Sequence, residues 1–87
     1  MAQFRDDKLL ISIALVLKEL RENRGVSQHE VYFETNVHIA RIENCKTNPS
    51  VSTLAVLLKY FRIRMSDFYS MVEQRELIMP YDDEKAL

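Results

Sequence analysis

Turn-forming residues are scarce in this chain: one glycine, Gly25, and two prolines, Pro49 and Pro80, interrupt 87 residues. A small sandwich or barrel needs frequent turn punctuation, so the scarcity argues against an all-β fold and makes an all-α domain the expectation. Cys45 is the only cysteine, which excludes an intramolecular disulfide and points to a reducing, cytoplasmic setting. Long apolar runs are also missing. The stretch Leu9 to Leu17 is about half the length of a spanning helix, follows a charge-neutral segment and precedes no small-residue cleavage site, so it reads as a buried helix rather than a membrane or export signal. His29, His38 and Cys45 are the only soft ligands, and no two stand four apart, the spacing that places ligands together on a helix face. With no glycine-rich phosphate loop and no pairing of nucleophile with base, neither an enzyme nor a metal or cofactor site is expected.

What is present is helical periodicity. The length allows one compact domain, and the 47% apolar content is enough for a modest core. Asp6 and Asp7 precede Leu10, Ile13, Leu17 and Leu20 at helical spacing, which predicts an N-terminal helix ended by Gly25. Ser27 with Glu30 three residues on makes a capping box, predicting a second helix from about Ser27 to Glu34 anchored by Val31. Thr35 and Asn36 favour a turn, and a third helix follows with Ile39 and Ile42 facing inward. Pro49 forbids its continuation, while Ser50 or Ser52 can cap a fourth helix carrying Leu54, Leu57, Leu58 and Phe61. Met65, Phe68, Tyr69 and Val72 repeat the stripe for a fifth. We divide the chain into a domain over residues 1–73 and a C-terminal tail, 74–87, in which Leu77, Ile78, Met79 and Tyr81 are apolar and Pro80 interrupts them.

The formal net charge of −1 hides a gradient along the chain. Lys18 to Arg64 carries eight Lys or Arg against five Glu, and Met65 to Leu87 two basic against six acidic residues. A mildly basic centre with an acidic tail suits a protein that touches phosphates with one face, although a solvated surface of mixed charge has the same composition.

The order and spacing of Leu20-Arg21, Ser27-Gln28, Arg41-Ile42-Glu43, Lys46, Pro49-Ser50 and Thr53-Leu54 resemble the Cro/CI, or XRE, family of lambda-repressor-like DNA-binding domains, across roughly Leu17 to Val72. The resemblance implies a five-helix bundle containing a helix-turn-helix, here with a short C-terminal extension. It implies a regulator of transcription, expected to be a repressor, that binds double-stranded DNA as a homodimer. The chain departs from the family in two ways. The span from Gln28 to Ile39 is about three residues shorter, so the third helix is expected to lose part of its first turn. Asn36, Cys45 and Arg62 stand where the family has glycine, and because a left-handed non-glycine residue costs on the order of 1 kcal/mol, the loops near Cys45 and Arg62 are expected to depart from the family geometry.

A recognition helix sits in the major groove, where each base pair shows a distinct donor and acceptor pattern. With Ile39 and Ile42 inward, Asn36, Val37, His38 and Arg41 fall on the accessible side or its leading end. Arg41 suits bidentate bonding to guanine; its alternative is a surface arginine paired with a glutamate. His38 fits a base or phosphate contact, or equally a capping or solvated role. The resemblance gives Gln28, and the loop residues Asn44, Lys46, Thr47 and Asn48, to phosphate, with a solvated turn as the alternative for the loop. It also implies that Arg21 and Glu43 form a structural ion pair inside the fold. Leu9, Ile11 and Leu15, outside the main stripe of the first helix, join the apolar tail residues as candidates for the dimer interface. The rival reading is an antitoxin-like or adaptor module that uses the same fold to grip a protein partner through its tail.

Overall fold

The computed structural model describes residues 5–78, and Ile78 by its backbone alone. Five helices occupy them: α1 (Asp7–Arg24), α2 (Gln28–Thr35), α3 (Ile39–Glu43), α4 (Val51–Phe61) and α5 (Met65–Ile78). Three of the starts, those of α1, α2 and α4, have a side-chain cap. The Asp6 carboxylate accepts the Leu9 N–H at 3.0 Å, Ser27 and Glu30 form the reciprocal capping box, and Ser50 Oγ accepts the Thr53 N–H at 3.0 Å.

Three of the helix ends share one device. After α1 the N–H groups of Gly25 and Val26 reach back to the carbonyls of Glu22 and Arg21; after α3 those of Cys45 and Lys46 reach Ile42 and Arg41; after α4 those of Arg62 and Ile63 reach Lys59 and Leu58. This paired 5→2 and 6→1 arrangement requires a left-handed residue at its hinge. Gly25 takes φ 73°, and Cys45 and Arg62 take it as well, each at 58°. The expected departure near Cys45 and Arg62 is therefore corrected. The two backbone bonds and the packing of Ile63 against the core outweigh a strain of about 1 kcal/mol. Asn36 closes α2 at φ 62° through a single bond from its N–H to Tyr32 O, 2.7 Å long.

α1 is the central support and packs chiefly against α5 and α3. Ile13, Val16 and Leu17 meet Val31, Ile39, Ile42, Leu54, Leu57, Leu58, Phe68 and Val72 in one core. The inward pair on α3, Ile39 and Ile42, is buried as its spacing predicts. The fifth stripe is narrower than its sequence suggests, for Tyr69 lies open while Phe68 and Val72 are covered. Leu9 is half-buried against the core, which leaves Ile11 and Leu15 as the exposed apolar pair of α1. The division at residue 73 falls inside α5, whose next turn is tied to α1 by an ion pair between Arg75 and Glu19. Leu77 is 83% exposed, whereas Met79 and Tyr81 lie outside the described residues. Among the described residues no helix is long and apolar enough to cross a membrane.

Candidate nucleic-acid interface

Three residues join α2 to α3, and each has a distinct conformational task. Asn36 reverses the chain in the left-handed region, and the Val37 N–H is held by Thr35 Oγ1 at 3.1 Å. His38, at φ −78° and ψ 75°, is the centre of an inverse γ-turn closed by the Ile39 N–H on Val37 O at 2.9 Å. The chain thus enters α3 directly, and α3 has only five residues, in keeping with the expected loss at its first turn.

The orientation of α3 is held by a polar knot at its far end. Glu43 Oε2 accepts Arg21 Nε at 2.7 Å, while Oε1 accepts Arg21 Nη2 at 3.0 Å and Gln28 Nε2 at 2.9 Å. Arg21 also donates through Nη1 to Val26 O at 3.1 Å. The Glu43 side chain is 4% exposed, so one carboxylate ties α1, α2 and α3 together out of water. Its hydrogen bond raises the Arg21 pKa above the ordinary arginine value, against the opposing effect of burial.

Between the start of α3 and the start of α4 lies an open concavity of about 410 Å³. Six of the residues singled out from sequence line it: Asn36, Val37, His38, Arg41, Thr47 and Asn48. The rest of the wall is Ile42, Pro49, Ser50 and Thr53. Arg41 is exposed, and among the described residues its side chain has no hydrogen-bond or ion-pair partner, so the pairing with a glutamate is not formed. Asn44 and Lys46 are exposed outside the concavity, in the loop after α3. Gln28 stands at the first position of α2, but its amide is engaged by Glu43 rather than turned freely to solvent.

Sequence reasoning named Ser50 and Thr53 without giving them to this site, and it missed Tyr32. Ser50 Oγ donates to Thr53 Oγ1 at 2.9 Å while accepting the Thr53 N–H, and this cap forms one wall of the groove. The Ser-x-x-Thr spacing carried that signal. Tyr32 stacks on His38 with ring centroids 4.2 Å apart and planes inclined by 24°, and no sequence spacing announces it because the contact depends on the tight turn.

A helix-turn-helix family model matches residues 17–68, a span that holds both these helices and the groove between them. The chain belongs to the Cro/CI-type helix-turn-helix family. Among curated relatives it is 34% identical over 73 residues to the HTH-type transcriptional regulator PuuR of Escherichia coli (strain K12) and, to the same degree, of Shigella flexneri. The match takes in 77% of this chain and 40% of those proteins, so this helix-turn-helix chain spans about two-fifths of their length. The restriction-modification controller protein C.Esp1396I shares the fold. An arginine-to-alanine mutant of that controller superposes with a TM-score of 0.75 over 80% of this chain and 97% of that one, and its wild type with 0.72 over 85% and 96%, both at 23% identity.

Proposed function

We propose that this chain is a sequence-specific duplex-DNA-binding regulator of transcription, working as a cytoplasmic homodimeric repressor without catalytic chemistry of its own. The observation that carries the reading is the division of α3: Ile39 and Ile42 are buried at 0% and 4% exposure, while Arg41 between them is exposed and unpartnered on the rim of a groove. A helix advances about 100° per residue, so Arg41 projects roughly 200° from Ile39 and meets base edges when α3 lies in the major groove. Lys46, with Asn44, Thr47 and Asn48 beside it, supplies phosphate contacts that set position rather than sequence. At the start of α2 the phosphate role passes from the Gln28 side chain, held by Glu43, to the helix N-terminus. Two copies are needed because one small module makes too few contacts for tight specific binding. Of the residues expected at the interface, Ile11, Leu15 and Leu77 are exposed and available to join them.

Selection of bound fragments from a random duplex library, repeated with Arg41→Ala, tests this reading. The variant is expected to lose preference at one position per half-site, by about 1–3 kcal/mol, with folding unchanged. A lowered melting temperature with sequence preference intact would place Arg41 in the scaffold and move base reading to Asn36, Val37 and His38.

The adaptor reading is favoured by one feature, the 79% exposure of Phe33 on α2, which is not among the residues lining the groove. It is separated from the first by fluorescence anisotropy on random duplexes, since an adaptor alone gives no salt-sensitive DNA affinity.

A further inference from the structure

His38 occupies an exposed position with no ordinary means of holding its ring. It precedes α3 as the N-cap residue, yet its side chain makes no capping hydrogen bond. Its backbone is fixed by the inverse γ-turn, but that turn leaves the side-chain torsions free. The ring is instead laid against Tyr32, which lies back on α2, at 4.2 Å and 24°. Tyr32 is anchored on an eight-residue helix with a capping box at its start, and Val31 beside it is fully buried. One face of the imidazole is therefore covered, and its edge, which carries both nitrogens, remains open at a residue lining the groove.

We infer that Tyr32 is a positioning residue for DNA reading: by stacking on His38 it holds the imidazole edge toward the groove and so fixes the base preference at the leading end of α3. This rests on the DNA-binding reading above and deepens it, adding a residue on the first helix of the pair to the specificity of the second. The physical need follows from the short turn. With α3 reduced to five residues, His38 lies outside the helix, where neighbouring turns do not restrict its rotamer, and an unordered ring loses rotamer freedom on binding. A stacked aromatic pair orders the ring before DNA arrives, an effect that amounts to about five-fold in discrimination.

The test is selection from a random duplex library with wild type, Tyr32→Phe, Tyr32→Leu, His38→Ala and the Tyr32→Leu/His38→Ala double variant, alongside the ring-proton shifts of His38 in the free proteins. Tyr32→Phe keeps the aromatic face and is expected to retain both the wild-type preference and the ring-current shift. Tyr32→Leu keeps bulk and helix propensity on an exposed position, and is expected to lose the shift and about five-fold in discrimination at one base pair per half-site. His38→Ala should relax the same base pair, and the double variant should be no worse than His38→Ala alone. A wild-type consensus that survives Tyr32→Leu overturns the inference while leaving the DNA-binding reading standing. So does a uniform loss of affinity with a lower melting temperature, or additive losses in the double variant. A wild-type protein that enriches no sequence overturns both.

Discussion

Removing the Glu43 carboxylate is the sharpest perturbation the fold offers, because three donors from two other helices converge on it. In Glu43→Ala the bonds of 2.7 and 3.0 Å from Arg21 and of 2.9 Å from Gln28 all disappear, and Arg21 keeps only Val26 O. Breaking a buried ion pair by deleting one partner costs about 3–5 kcal/mol, since the remaining charge is left without compensation. The Arg21 side chain is 13% exposed, which admits some water and places the expected loss at the lower end, about 3 kcal/mol. For a domain of this size that corresponds to a fall in Tm of roughly 10–20 °C. Thermal and urea unfolding of Glu43→Ala measures it directly. The pair also predicts a compensation: Arg21→Met combined with Glu43→Leu replaces two desolvated charges by apolar contacts and should recover most of the loss. If Glu43→Ala melts within about 2 °C of wild type, or the double variant is less stable than the single one, the knot is worth no more than a surface ion pair and the reasoning is refuted.

Other outcomes follow from the same structure. Lys46→Ala, which removes an exposed charge after α3, should weaken binding to all duplexes about equally and reduce the slope of log K against log salt by about one per half-site; anisotropy at several salt concentrations reads this, and a loss confined to one sequence contradicts it. Arg62→Gly relieves a left-handed residue at φ 58° and should raise stability by about 0.5 kcal/mol, the unfolded chain's added freedom offsetting part of the relief; urea midpoints decide it, and a destabilised variant would mean that the arginine stem packs usefully. Ile11→Glu with Leu15→Glu alters two residues that are 43% and 42% exposed, so the monomer fold should survive while the proposed dimer is lost by light scattering; a dimer that persists in the variant moves the interface away from α1.

Much of the framework was legible because its causes are local. Asp6, Ser27 and Ser50 each cap the helix that follows through a bond three residues away, so chain spacing alone determines whether the partner is in reach. Ile39 and Ile42 announce the inner face of α3 for the same reason, and Arg41 between them turns outward. Leu9 and Tyr69 were less legible, since an apolar residue at the margin of a stripe is covered or left open according to the width of its neighbour.

By itself the sequence determined the five helices, the serine caps of α2 and α4, the inward residues and the outward Arg41, because these depend on backbone bonds and side-chain directions within a few residues. Only the tertiary structure decided that Gln28 turns to Glu43, that Tyr32 lies under His38, that Arg75 extends α5 along α1, and that Cys45 and Arg62 tolerate left-handed backbones. Arg75 and Glu19, for example, are 56 residues apart in the chain. Each of these outcomes depends on whether packing elsewhere supplies a partner or outweighs a local strain of about 1 kcal/mol, and that balance forms only when the helices dock.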